Sequence, residues 1–274
     1  MQISKLNASA REFTVMGILN LTPDSFSDGG QYLETDAAVK RALQMVAEGA
    51  DIIDIGGEST RPGAQPLSDS EEIARVVPVI TALRLVSEVP VSIDTSKAAV
   101  MKAAVAAGAD LINDVRGLQE KSALETAQSL KVPVCLMHMQ GAPRSMQHNP
   151  QYQDVVSEVK DFLQRRVEAC LVAGMSRDQI IIDPGFGFGK TLEHNLVLLK
   201  HLAQFVNMGF PVLVGLSRKS MLGQITGADV DQRVAAGIAT SVLAYQAGAR
   251  FFRVHDVKAT VDALTVIQAV DSAK

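Results

Sequence analysis

Tryptophan is absent from the 274 residues, and aromatic side chains make up only 4% of them. So few π-faces argue against a base-stacking platform for single-stranded nucleic acid. An excess of positive charge is missing too: 26 Lys and Arg against 30 Asp and Glu leave a formal net charge of −4. A mildly acidic chain of this kind does not present the basic footprint of a nucleic-acid partner. No apolar run approaches the roughly 20 residues needed to cross a bilayer, so no membrane partner is expected. The opening stretch, MQISKLNASAREF, lacks the apolar core of a signal peptide, and a cytoplasmic location is expected. Cysteine is scarce: Cys135 and Cys170 form no CxxC pair and lie beside no evident base. They fit a reducing compartment and read better as small buried hydrophobes than as reactive thiols. Linkers rich in Ser, Gly or Pro are missing as well, and the 20 glycines and 10 prolines fall at element ends. Residues 1–274 therefore read as a single domain.

What is present is a recurring unit: an amphipathic helix, a small-residue turn, then a short apolar strand. AVKRALQMVAEGA leads into DIIDIGG, KAAVMKAAVAAGA into DLINDVRG, and RVAAGIATSVLAYQAGA into RFFRVHD. Gly49, Gly108 and Gly248 stand where left-handed helix caps are expected. VMGILN, VPVSIDT, VPVCLMHM, IIIDPG and VLVGLS supply further strands. Apolar residues in succession mark strands buried on both faces, as in an all-parallel sheet. Eight such strands alternating with eight helical stretches predict an α/β fold of the closed (β/α)8 TIM-barrel type, which commonly takes about 250 residues. An open doubly wound sheet is the alternative; polar residues after nearly every strand favour the barrel.

Those strand ends are Asn20, Gly56-Gly57-Glu58, Asp94, Asn113-Asp114, His138, Asp183, Ser217-Arg218-Lys219 and Arg253 with His255. In a barrel they converge on one mouth, where active sites form. One Asp at a strand end is commonly a helix cap; eight polar ends on one rim are hard to explain by capping. Asp94, Asn113 and Asp183 can pair with the amino and ring N–H groups of a flat heterocycle, and a buried carboxylate rejects ligands that lack those donors. No His/Cys cluster with transition-metal spacing accompanies them. Asn20 offers a neutral oxygen suited to Mg²⁺ or phosphate chemistry.

The loops add cations and apolar cover. ILNLTPDSFSDGGQY carries Phe26 in otherwise polar company, so the ring is expected to cover something apolar. IDIGGESTRPGAQPL offers Thr60 and Arg61, a hydroxyl and planar cation suited to phosphate or carboxylate, stiffened by Pro62 and Pro66. A surface ion pair is the plainer role for Arg61. DPGFGFGKT ends like a phosphate-binding loop, but that pattern needs glycine where Pro184 stands. Its glycines read instead as loop freedom that lets Phe186 and Phe188 line a pocket. GLSRKS places Lys219 and Ser220 at the opening of a helix after strand seven, where barrels bind anions. Arg253 and His255, two apart on strand eight, can both face the mouth as basic groups. His138 is expected at the rim, and His148 in the long polar insertion that follows it.

GILNLTPDSFSDGG, GADIIDIGGESTRPG, SIDT, IND, HMQG, IIDPGFGFGKT, GLSRKS and RVHDV together resemble, in order, the pterin-binding barrel family of folate biosynthesis. The resemblance runs from about residue 12 to 270; its first two stretches are highly specific, and no motif position departs. It implies a transferase that condenses 6-hydroxymethyl-7,8-dihydropterin diphosphate with p-aminobenzoate, giving 7,8-dihydropteroate and pyrophosphate. By position it implies that Asp94, Asn113, Asp183 and Lys219 hold the pterin, with Arg253 over its face and reaching the diphosphate. Asn20, Thr60 and His255 would meet the diphosphate or its Mg²⁺, with Asn20 as the metal ligand. Phe188, Ser220, Lys219 and the loops around Phe26, Arg61 and Pro62 would form the aminobenzoate site. Catalysis would fall to Asp94, Lys219, Arg253 and His255. The family pattern also implies a homodimer, small-molecule substrates and sensitivity to sulfonamides. Two other readings compete: a methyltransferase passing a methyl group from a folate to a corrinoid protein, and a non-catalytic barrel that senses a pterin or phosphate. The first needs no diphosphate site, which the SRKS and RVH segments and Asn20 supply; the second predicts binding without turnover.

Overall fold

The computed structural model describes residues 2–3, 6, 11–21, 30–59, 67–141 and 146–273, without the side chains of 30–33. Eight strands form one sheet: β1 (Thr14–Asn20), β2 (Ile52–Gly56), β3 (Val91–Asp94), β4 (Leu111–Asp114), β5 (Val134–Met137), β6 (Ile180–Asp183), β7 (Leu213–Val214) and β8 (Phe251–Val254). Their order is β6-β5-β4-β3-β2-β1-β8-β7, with every pairing parallel. A parallel bridge between Ile182 and Val212 joins the two ends, and the Ile182 N–H donates to Pro211 O at 3.0 Å. The sheet closes into the expected barrel.

Two apolar clusters show how a period of two builds it. Val15, Ile53, Ile93, Ile112, Leu136, Ile182, Val214 and Phe252 face outward and pack beneath the helices. Met16, Ile52, Leu111, Cys135, Ile181, Leu213 and Phe251 face the lumen, with Leu6 against them. Both cysteines are buried and unpaired, as the sequence predicts. Adding two to the lumen positions Ile52, Leu111, Ile181 and Phe251 gives Asp54, Asn113, Asp183 and Arg253. The polar site thus stands one inward step above an apolar floor.

The helices are α1 (Gly30–Ala47), α2 (Asp69–Arg84), α3 (Ala98–Ala106), α4 (Ala123–Leu130), α5 (Val155–Val172), α6 (Leu192–Lys200), α7 (Ala203–Val206), α8 (Ser220–Thr226), α9 (Val234–Gln246) and α10 (Val257–Asp271). Ten helices among the described residues replace the eight expected, because two crossovers divide. The chain breaks between α6 and α7 near His201, and α8 stops at Gly227, which takes a left-handed φ of 72°. The three Gly-Ala closures hold: Gly49, Gly108 and Gly248 have φ of 102°, 116° and 102°. β7 is shorter than VLVGLS suggests. Pro211 has no N–H to give the ladder, and the chain leaves it at Gly215. Among the described residues no helix is long and apolar enough to cross a membrane.

Candidate active site

Arg253 organises one side of the mouth. Its Nε donates to Asp54 Oδ2 and its Nη2 to Asp94 Oδ2, both at 2.6 Å, so one guanidinium spans carboxylates on β2 and β3. Asn113 on β4 adds long hydrogen bonds of 3.4 Å from Nδ2 to both Asp54 oxygens. Asp54 is fully buried and Asp94 nearly so. Burial, reinforced by repulsion from Asp54, pushes Asp94 up to about 7 despite Arg253. Arg253 stays protonated: although burial opposes its charge, Asp54 and Asp94 raise it above the usual guanidinium range. The pairing fixes Asp94 in place through a planar fork, which a lysine could not reproduce.

Asp183, Phe188 and Lys219 form the other side. Asp183 closes β6, and its Oδ1 accepts the Gly185 N–H at 2.7 Å. Burial raises its carboxyl to about 6, against the pull of that hydrogen bond, Lys219 and Lys190. The Lys219 ammonium lies 4.2 Å from the centre of the Phe188 ring. Burial, then repulsion from Arg253, lowers Lys219 to about 8, while Asp183 and Asp94 raise it. The two sides therefore feel one another's charge across the mouth. Asn20 ends β1 half-buried. A β-carbon placed on Gly56 would come within 3.7 Å of both Asn20 Oδ1 and Asp94 Oδ2, so the amide and the carboxylate flank the same bare glycine.

His255 departs from the expectation in charge alone. Burial and the neighbouring Arg253 and Arg218 charges lower its imidazole to about 4, so it is neutral near pH 7. Its Nδ1 lies 3.2 Å from Ser217 Oγ, a hydroxyl that also accepts the His255 backbone N–H. Ser220 opens α8 and is exposed. His138 is not at the rim: it is 6% exposed, held edge-on to Phe162 with ring centres 4.9 Å apart. Phe186 does not line the mouth either; it is buried in the core, and Phe188 alone of the pair is left half-buried. Phe26, Thr60, Arg61 and Pro62 lie outside the described residues.

Residues 16–255 match the pterin binding enzyme family. The chain belongs to that family. It is 54% identical over 259 residues to the dihydropteroate synthase of Haemophilus influenzae, covering 94% of each chain. Against the Escherichia coli dihydropteroate synthase it is 50% identical over 260 residues, 95% of this chain and 92% of that one. Among solved structures it is similar to Xanthomonas albilineans dihydropteroate synthase with 4-aminobenzoic acid, with a TM-score of 0.90, 52% identity and coverage of 95% and 94%. The same enzyme in complex with 7,8-dihydropteroate gives a TM-score of 0.87 at 49% identity, again covering 95% and 94%.

For this pterin binding enzyme, sequence reasoning missed Asp54. The signal was there: a lone acid in IIDIG, two residues from Ile52 and so on its lumen side. Also missed is the cluster in which Lys97 Nζ donates to Glu58, to Glu72 Oε2 at 2.7 Å and to Leu67 O at 2.9 Å. No local pattern links those positions, which meet only because β2, α2 and α3 pack side by side. Arg218 forms a double hydrogen bond to Asp256 at 3.1 and 2.6 Å, joining the loops after β7 and β8. The sequence read its charge as free for an anion; the fold spends most of it on a partner.

Proposed function

We infer that this chain is a dihydropteroate synthase: a transferase that joins p-aminobenzoate to 6-hydroxymethyl-7,8-dihydropterin diphosphate, forming 7,8-dihydropteroate and pyrophosphate. One observation carries the reading. The acids and cations that such a reaction needs converge at one barrel mouth, in a chain about half identical to dihydropteroate synthases along nearly its whole length.

Asp183 and Asn113 supply acceptors and a donor for the edge of the pterin, and Asp94 faces its ring. The arylamine nitrogen attacks the exocyclic methylene carbon, the bond from that carbon to the diphosphate oxygen breaks, and the new C–N bond sheds a proton from nitrogen. Positive charge developing on the methylene spreads into the pterin, where ionised Asp94 stabilises it. Arg253, fixed between two carboxylates, faces the departing diphosphate without needing to reorganise. Neutral His255 donates a hydrogen bond there rather than a full charge. Lys219 and the Phe188 ring flank the arene, and Ser220 at the start of α8 lies toward its carboxylate. Sulfonamides, which imitate the arene and its acidic end, would compete for that slot.

The donor set suits Mg²⁺ as a companion of the diphosphate. Asn20 offers one hard, neutral oxygen beside Asp94, and Mg²⁺ takes few protein ligands while keeping water and phosphate oxygens. The ion supplies charge neutralisation at the leaving group. We further propose a cytoplasmic homodimer. Neighbouring α6, α8 and α9 each leave an apolar side chain exposed, Leu196, Ile225 and Leu243, which a second copy would cover. Sedimentation should give twice the chain mass, and an L243E variant should give monomer.

The deciding assay is pyrophosphate release from the pterin diphosphate with Mg²⁺. Release should require p-aminobenzoate; binding of both compounds with no release would make the protein a sensor instead.

A further inference from the structure

Gly189-Lys190-Thr191 fails as a phosphate loop, yet the lysine is neither idle nor aimed at the mouth. Lys190 is 3% exposed. Its ammonium has three hydrogens and meets three acceptors: Gly185 O at 2.9 Å, Phe188 O at 3.0 Å and His138 Nδ1 at 2.8 Å. No N–H is left for an anion. Burial, with the Lys190 charge behind it, holds the His138 ring down to about 2, so it is neutral and, facing the ammonium, accepts at Nδ1; burial lowers Lys190 itself to about 7, against the pull of Asp183.

Both carbonyls belong to the turn that Lys190 closes, and other groups grip the same turn. Tyr152 Oη donates to Gly189 O at 2.9 Å, and Gln147 Nε2 donates to Gly187 O at 2.5 Å. The Gly187 N–H donates to Asn195 Oδ1 at 2.8 Å, and the Phe188 N–H to Gly185 O at 3.2 Å. Gly185, Gly187 and Gly189 all take positive φ, and a β-carbon on Gly185 would lie 1.9 Å from His138 O. The turn is therefore pressed onto the exit of β5 with most of its peptide groups occupied. Its conformation buries Phe186 and leaves Phe188 half-buried beside Lys219.

We propose that Lys190 is a positioning residue for the second substrate: by tying residues 185 and 188 to His138, its ammonium fixes the Phe188 ring and so shapes the arene slot, without touching substrate. The proposal rests on the dihydropteroate synthase reading. It explains a buried cation whose partners are mainly carbonyls, and a glycine-rich turn that nevertheless holds one shape.

Lys190→Met keeps the length of the side chain and removes all three donors. In the pyrophosphate-release assay, KM for p-aminobenzoate should rise about tenfold or more, as expected for loss of hydrogen bonds from a charged group. The kcat should change by less than about threefold, and pterin affinity by calorimetry by less than about twofold, since Asp183 remains. Tyr152→Phe removes one hydroxyl from the same turn, without its ring, and should raise that KM about threefold with pterin binding unmoved. An unchanged KM in K190M, or an equal loss of pterin binding, overturns the proposal. If K190M does not fold, Tyr152→Phe and Gln147→Ala decide: a selective rise in KM supports the proposal, and two unchanged values overturn it. Wild-type protein that released no pyrophosphate would remove the functional reading itself, whereas normal wild-type turnover with an unmoved variant KM would remove this inference alone.

Discussion

Asp183 shows what a buried acid at the barrel mouth costs the fold that carries it. Its carboxyl titrates near 6 in the folded protein, above the ordinary 3.8, chiefly because it is buried. A folded value above the unfolded one means the native state prefers the protonated acid. The resulting stability is present in full below about pH 3.8 and is lost as pH rises through 6. At pH 8 the ionised carboxylate therefore destabilises the ligand-free protein, by about 1–3 kcal/mol on the usual conversion of pKa to free energy. Asp183→Asn should raise the urea midpoint at pH 8 while weakening pterin binding by about 1–3 kcal/mol, since one acceptor becomes a donor. In the wild type, pterin affinity should fall as pH drops through about 6, and the variant should flatten that decline. A lower urea midpoint for the variant would show that the carboxylate stabilises the fold after all.

At the scale of elements, most of the architecture was legible because it repeats locally. Apolar strands buried on both faces, Gly-Ala helix closures and polar residues after each strand are patterns within about ten residues of chain. What escaped depends on neighbours distant in sequence: the division of two crossovers into paired helices, the early end of β7, and the clasp of Lys97. That clasp joins the second residue after β2, the start of α2 and the N-terminus of α3, bringing Glu58, Leu67 and Glu72 onto one ammonium. Glu72 is 1% exposed and its Oε1 has no partner among the described residues, so Lys97 carries nearly all the compensation seen there. Removing one member of a buried pair leaves an uncompensated charge, typically at a cost of about 3–5 kcal/mol. Lys97 is itself about a quarter exposed, which lowers the expectation for Lys97→Met to about 2 kcal/mol. Chemical unfolding at neutral pH measures it, and the paired variant Lys97→Met with Glu72→Gln should recover part of the loss. Additive losses would mean that the two groups are not coupled.

For the molecule as a whole, the barrel separates a stable floor from a reactive rim, and this separation decides how a metal can enter. The rim was readable from strand ends: Asn20, Asp94, Asn113, Asp183, Lys219 and Arg253 all came from that rule. The way charge is shared among them was not, because it depends on Asp54 from mid-strand and on pairs up to 199 positions apart. Arg253 already engages Asp54 and Asp94, so neither carboxylate is free to build a cage for a cation. Among the described residues no group of three His, Cys, Asp or Glu side chains could hold a metal ion. Asn20 contributes one neutral oxygen and no charge, far short of the carboxylate-rich oxygen cage that holds a resident hard cation. Mg²⁺ should therefore arrive with the diphosphate and leave with pyrophosphate, stabilising only the state that binds it. Chelation should abolish turnover yet leave the Tm of ligand-free protein within about 1 °C, because a ligand absent from the free state contributes nothing to it. The same treatment should spare the affinity for a pterin without diphosphate and weaken that for the diphosphate. A fall of several degrees in the ligand-free Tm on chelation would instead reveal a structural metal, and the division of labour between floor and rim would have to be redrawn.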